Sequence, residues 1–405
     1  MEPTAPTLRR LLTLSALTTL LFVAAMVLAG SLLLLLVATT PGGRLTALAL
    51  VLALPSLAAL PFAWSSGRRE PATALCAAGL LLGALFGGWA LHIAPEARTS
   101  PGPGLYTVYL TDASHPRASI ANLVPERDQF TLGSWLFPFV DPFLDAEQSE
   151  RVRTLFQRVY AEADADPALA DSGSAMAWSY AELFGRRWDV GHLYVYEPAT
   201  SSPEPRPVLL FLHGWGGPFL GYQEVLRRFA DAQGYAVVSP SFGMGWWDQT
   251  GAMPALERAL AWIDAQPGLD GQRVVLAGLS NGGVGVVRAA VAFPDRWRGV
   301  VFLSGVMEAS RLAALALSLV DHDTPALVIT GADERRIPLE YTQGCVDVLR
   351  AGEVRLDLEV FSGEDHFLLF SQPDTVMALL GRWVETEVGE PTPARNAPDP
   401  PAPPG

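Results

Sequence analysis

The sequence predicts an α/β chain with a doubly wound, mostly parallel sheet, preceded by three membrane-spanning helices. Three observations carry this. The N-terminal quarter holds three long runs without charge. From residue 192 onward, short β-rich runs alternate with helical patterns of ten or more residues. Polar and glycine-rich turns follow the strand-like runs, so the chain is punctuated where a parallel sheet presents its chemistry.

No charged residue occurs from Leu11 to Gly43, from Leu45 to Gly67 or from Pro71 to Pro95. Each run exceeds the roughly 20 apolar residues that cross a hydrocarbon core as a helix. Spans are expected near 11–38, 45–64 and 72–94, forming a membrane anchor over residues 1–94. The first run is long for a cleaved signal peptide, and its cleavage would leave the later topology unchanged. Arg9 and Arg10 precede the first span and Arg68 and Arg69 join the second to the third, whereas only Arg44 lies between the first and second. Arginine pairs mark the cytoplasmic side. The expectation is a multi-pass protein of the cell membrane, with everything after Ala94 outside the cytoplasm.

The net charge is −14 over 405 residues. Residues 1–94 contain five arginines and two glutamates, a net of +3, so the remainder carries −17. The chain has no lysine at all. An acidic domain of this kind is a poor nucleic-acid binder, and no nucleic-acid partner is expected. It also lacks a polybasic grip on anionic lipid. Cys76 falls in the third apolar run and Cys345 in the polar part, so no internal disulfide is expected. The three spans hold no charge inside the membrane, which argues against a channel or transporter.

Residues 95–104 read as a Pro/Gly/Ser-rich linker, and residues 389–405, with seven prolines, as a disordered extended tail. Residues 105–190 are expected to form a helical extension packed on or capping the main domain. Within it, Asp145 to Gln148 has the form of a capping box. Val152, Leu155, Phe156, Val159 and Tyr160 follow at helical spacing and make one apolar face. The acidic run from Glu162 to Asp166 reads as a solvated helix end rather than a cation site. Trp135, Phe137, Phe139 and Phe143 either pack the extension on the main domain or touch the lipid surface.

Residues 191–388 form the expected main domain. Strands are read at 192–197, 207–212, 235–239, 273–277, 299–303, 325–330 and 355–361. Helices are read near 221–233, 253–266, 281–293, 307–319, 339–351 and 373–387. Ligands of such sheets bind beyond the carboxyl ends of the strands. Four strand ends carry chemistry in this order: His213-Gly-Trp-Gly-Gly217, Gly278-Leu-Ser-Asn-Gly-Gly283, Gly331-Ala-Asp-Glu-Arg-Arg-Ile-Pro338 and Ser362-Gly-Glu-Asp-His-Phe367.

These motifs, in this order, resemble the α/β-hydrolase family, whose nucleophile sits in a G-x-S-x-G elbow between strand and helix. The local text is most similar to its dienelactone-hydrolase, prolyl-oligopeptidase and polyester-depolymerase branches. The resemblance covers roughly residues 190–388. It implies Ser280 as nucleophile, His366 as its base and an acid that holds the imidazole. It also implies an oxyanion hole from the backbone N–H groups of Trp215 and Asn281. His213 belongs to the glycine turn and orients it. His92, His115, His192 and His322 lie outside any such motif.

The acid departs from the commonest family pattern. Counting three from Gly331, and back three from Ile337, both reach Glu334. Spacing therefore favours a glutamate, while aspartate is the more usual chemistry and keeps Asp333 as the alternative. Trp246 and Trp247, after the 235–239 strand, either wall a substrate pocket or pack in the core. Met307 and Glu308 also stand near a strand end. The expected reaction is hydrolysis of a carboxylic ester through an acyl-serine, with no cofactor and no metal. A serine peptidase of prolyl-oligopeptidase type and a catalytically silent binding protein are the alternatives. The expected partners are a small ester or peptide substrate and the lipid bilayer.

Overall fold

A computed structural model describes residues 5–65, 69–110, 119–169, 173–174, 176, 179–180, 192–200 and 202–389. Arg68, His115, residues 181–191 and the tail from 390 on, all read above, lie outside the described residues. The chain divides into two compact units: residues 1–96 with 116–157, and residues 97–115 with 158–405.

The first unit opens with three helices, α1 (Ala5–Val37), α2 (Pro41–Ser65) and α3 (Arg69–Ile93). All three are long and apolar enough to cross a membrane. Their apolar side chains face outward: Phe22, Met26, Leu36, Leu57, Leu81 and Leu85 are all exposed. Helices α2 and α3 approach closely because their facing residues are small. A methyl group on Gly79 would lie 2.0 Å from Ser56 Oγ, and one on Gly83 3.0 Å from the Ala49 carbonyl.

The unit continues with α4 (Ile120–Leu123), α5 (Glu126–Val140) and the start of α6 (Ala146–Ala165). The expected capping box is present in full: Gln148 N–H donates to Asp145 Oδ1 at 2.9 Å, and Asp145 N–H to Gln148 Oε1 at 3.1 Å. Phe130 of α5 stacks on Phe156 of α6 with centroids 4.5 Å apart. A buried carboxylate ties α5 to the loop between α1 and α2. Asp128 accepts from Thr39 N–H at 2.7 Å and Thr39 Oγ1 at 2.9 Å on one oxygen. Its other oxygen accepts from Thr40 N–H at 3.2 Å and Thr40 Oγ1 at 2.5 Å. Sequence reading missed this contact, because nothing local to Asp128 names a partner 88 residues away.

The second unit is built on an eight-stranded sheet. Its strands are β1 (Gly104–Tyr109), β2 (His192–Glu197), β3 (Arg206–Leu212), β4 (Ala236–Pro240), β5 (Leu269–Leu279), β6 (Trp297–Leu303), β7 (Ala326–Gly331) and β8 (Leu356–Phe361). Their order is β1-β2-β4-β3-β5-β6-β7-β8. Strands β1 and β2 are antiparallel to their neighbours, and all other pairings are parallel. The expected mostly parallel sheet is therefore present, with one correction. Residues 105–190 are not helical throughout, since β1 joins the sheet edge, pairing Gly104 with Glu197 through Tyr109 with His192. A single strand pairing antiparallel needs no adjacent helix, so the alternation that revealed the others gave no sign of it.

Helices α7 (Leu220–Gln233), α8 (Ala252–Asp264), α9 (Gly282–Ala292), α10 (Leu312–Asp321), α11 (Leu339–Ala351), α12 (Leu368–Ser371) and α13 (Pro373–Trp383) complete the unit. Both sheet faces are covered, which is why the central strands read as continuous apolar runs. Val208, Leu210 and Leu212 pack in one core with α8, α9, α10 and α11. Phe211 points to the opposite face and meets Tyr222 of α7 at 5.4 Å. The acidic end of α6 is paired, with Glu162 on Arg228 at 2.5 Å and Asp166 on Arg227 at 3.2 Å.

Candidate active site

Ser280 sits between β5 and α9 with φ 53°, in the left-handed region that costs a non-glycine residue strain. The surrounding glycines let strand and helix close on it. A methyl on Gly278 would lie 2.5 Å from the Gly282 carbonyl, and one on Gly282 2.1 Å from the Leu212 carbonyl. Backbone bonds then lock the turn: Ser280 N–H donates to Leu303 O at 3.1 Å and Val306 N–H to Ser280 O at 2.9 Å.

His366 follows β8 and Glu334 follows β7. The two turns are stitched together, with Asp333 N–H donating to Glu364 O at 2.9 Å and Ala332 N–H to Phe361 O at 2.8 Å. His366 Nε2 lies 3.0 Å from Ser280 Oγ, and His366 Nδ1 lies 2.6 Å from Glu334 Oε2. The second Glu334 oxygen accepts from Arg336 N–H at 2.7 Å and Ile337 N–H at 3.2 Å. Burial raises the Glu334 pKa, but the His366 hydrogen bond and charge and the two backbone donors outweigh it, holding the carboxyl below its usual range. An ionised Glu334 can only accept, so Nδ1–H donates to it and Nε2 is left without a hydrogen toward the serine hydroxyl.

Of the two acids the sequence left open, the structure joins Glu334 to His366 and does not join Asp333. Asp333 is exposed on the same turn. The reason is the turn's direction: Glu334 points inward under Ile337, and its neighbour points out.

The glycine turn after β3 comes against the elbow. A methyl on Gly214 would lie 3.2 Å from Ser280 Cβ. Among the described residues, neither Trp215 N–H nor Asn281 N–H donates to a protein acceptor. Both are thus available beside the serine, as an oxyanion hole requires.

Two groups of the 240–247 loop brace this turn and a third braces the elbow. Gly216 N–H donates to Met244 O at 3.0 Å, Trp247 Nε1 to His213 O at 2.9 Å, and the Asn281 side-chain amide to Gly245 O. Sequence reading credited Asn281 with its backbone alone, so its side-chain role was missed. The glycine-rich text Gly243-Met-Gly245 was the available signal. His213 is fully buried and its roles are fixed by its partners. Nε2 accepts from Phe242 N–H at 3.1 Å, so Nδ1 carries the proton and donates to Gly214 O at 2.8 Å.

Burial lowers the His213 pKa from 6.5 to about 4. Below pH 6.5 the unfolded chain takes up a proton that the folded chain refuses, so stability falls from there until about pH 4. The loss from this group is on the order of 3 kcal/mol. Thermal melts across that range will show a steeper decline for wild type than for His213→Gln.

Trp246 and Trp247, for which the sequence left a substrate wall and core packing both open, separate in the structure. Trp247 is 0% exposed and packs on Phe242 and His213, so it is core and not pocket. Its placement follows from its indole N–H, which finds the His213 carbonyl beneath the turn. Trp246 is 41% exposed and meets Trp215, 58% exposed, edge to face at 6.5 Å. Trp247→Ala will cost about 3–5 kcal/mol of stability and affect all substrates alike. Trp246→Ala will leave stability near wild type and, on the ester reading proposed below, weaken turnover of bulky apolar esters relative to acetates. A chain-length series of esters run beside thermal melts measures both.

Met307 is buried, its carbonyl accepting from Tyr341 OH. Glu308 is held by Arg288 at 2.8 and 3.0 Å and by Arg311 at 3.2 Å, and those cations keep its carboxyl below the usual range. Neither adds a reactive group to the site. His322 bonds Asp295 at 2.9 Å, and His192 lies in β2, both outside the Ser280 cluster.

No family model and no curated protein matches the chain. Solved structures similar to it include S-formylglutathione hydrolase from Staphylococcus aureus, 20% identical, covering 47% of this chain and 89% of that one at a TM-score of 0.40. A thermophilic esterase from Thermogutta terrifontis is 18% identical and covers 50% and 91% at 0.40. An esterase from Pyrobaculum calidifontis is 19% identical and covers 48% and 80% at 0.39.

Proposed function

We propose that this chain, an α/β-hydrolase by fold, is a serine hydrolase of carboxylic esters, held in the membrane by three helices with its catalytic unit outside the cytoplasm. The observation that carries the reading is the line Ser280 Oγ, His366 and Glu334 at 3.0 and 2.6 Å. Ser280 Oγ attacks the ester carbonyl while His366 Nε2 takes its proton. Glu334 keeps the ring oriented and stabilises the imidazolium. The N–H groups of Trp215 and Asn281 meet the oxygen on which negative charge develops. Collapse expels the alcohol, which leaves with the proton from Nε2, and an acyl-serine remains. Water then repeats the sequence and frees the acid. Incubation of the purified chain with a fluorophosphonate probe, followed by an ester and peptide panel, tests this. Labelling with ester turnover supports it. Absence of labelling in folded protein overturns it.

The location rests on the arginine pairs and on an odd number of spans. A reporter active only outside the cytoplasm, fused directly after Glu387, will be active, and a cytoplasm-only reporter there will be silent. The reverse pattern would show that one of the three helices does not cross.

A further inference from the structure

We infer that the exposed apolar face at the end of α5 lies in the headgroup and upper acyl region of the bilayer, beside α1. This rests on the reading of α1, α2 and α3 as membrane spans. No charge occurs between Asp128 and Asp141. The polar side chains of that stretch are all turned inward and bonded. Gln129 Nε2 donates to Ala121 O at 3.0 Å and Val124 O at 2.6 Å. Thr131 Oγ1 donates to Arg127 O at 2.8 Å and Ser134 Oγ to Thr131 O at 2.7 Å. What the helix presents outward is Trp135, Leu136, Phe139 and Val140, with Phe139 at 85% and Val140 at 72% exposure. Single exposed apolar residues are ordinary, but a contiguous helical face of this kind marks a partner.

The occupant is argued from continuity. Leu132, one turn before Trp135, packs against the cluster of Leu34 of α1, Ala38 just after it, Ala47 and Val124. Asp128, one turn earlier still, bonds the α1–α2 loop. The apolar end of α5 therefore continues the lipid-facing surface of the last turns of α1, where Leu32 and Leu36 are exposed. The stretch is too short to span a bilayer, and Asp141, Asp145 and Glu147 follow at once, so it lies shallow. Arg153 sits 4.1 Å over the Trp135 ring, a cation and an indole at the level where both are suited to the headgroup layer.

The test places one thiol at a time in the full chain with Cys76 and Cys345 replaced by Ala, and attaches an environment-sensitive fluorophore. Phe139→Cys reports the α5 face, Leu85→Cys the middle of α3, and Glu204→Cys exposed solvent. The proteins are reconstituted in phosphatidylcholine vesicles carrying a nitroxide either near the headgroup or near the chain end. Ester turnover verifies folding. The expected result is quenching at position 139 about twofold or more above that at 204, strongest with the shallow nitroxide. Quenching at 85 by the deep nitroxide, with position 139 as unquenched as 204, overturns this inference and leaves the spans intact. A dehydrated but unquenched signal at 139 shows a second copy covering the face and also overturns it. Quenching at 139 without quenching at 85 supports lipid contact and overturns the spanning reading instead.

Discussion

Replacement of Ser280 by Ala will lower ester turnover by about a thousandfold or more while the melting temperature stays near wild type. The size follows from the loss of the group that, on the proposed mechanism, forms the covalent bond. The small stability cost follows from what holds the elbow. Its bonds to Leu303 and Val306 are made by backbone, and the glycine contacts do not involve the hydroxyl. On the proposed mechanism the residual turnover is that left by the N–H groups of Trp215 and Asn281, which act on a carbonyl whatever attacks it. Steady-state kinetics on a fluorogenic ester, with melts of both proteins, measures the effect. A variant that still labels normally with a fluorophosphonate removes Ser280 from the mechanism.

The acid gives the second large effect. Glu334→Gln will reduce turnover by about a thousandfold or more, and Asp333→Asn will leave it near wild type. The geometry supplies the reason. One carboxylate oxygen accepts from Arg336 and Ile337 N–H, so a glutamine keeps its carbonyl there and turns its amide toward His366. That amide donates, so Nδ1 must become the acceptor and Nε2 takes the proton. The imidazole then presents N–H to Ser280 and is no longer a base. Asp333 is exposed and lies off this line, so its loss changes only the surface. Turnover of the two variants at matched folding decides between them. A crippled Asp333→Asn would move the acid to that residue.

The strand ends were legible because glycine marks them. Gly278, Gly282 and Gly331 stand where a side chain would strike backbone, so composition alone located the turns that carry Ser280 and Glu334. The carboxylate that bonds His366 was legible by counting, since both ends of its turn gave the same residue. Trp246 and Trp247 were not separable in that way. Adjacent residues of identical chemistry point to opposite sides of a loop, and what sorts them is the His213 carbonyl, supplied from β3's end. Strand β1 and the seat of helix α5 were hidden for a related reason. Each is defined by a partner distant in sequence, β2 in one case and the α1–α2 loop in the other, and neither carries a local pattern that names it.

The Asp128 contact has a consequence for the order in which the chain is made. Its four donors lie on Thr39 and Thr40, and the carboxylate that gathers them is synthesised 88 and 89 residues later. Until then the loop must keep its polar groups in water, since a buried donor without an acceptor is costly. The first two helices are thus complete before the loop between them is capped. Capping requires the loop and α5 to have arrived on the same side of whatever separates the ends of α1. A chain in which only one of α2 and α3 crossed would leave Asp128 and its donors on opposite sides. One carboxylate therefore closes only on molecules whose loop and α5 share a side.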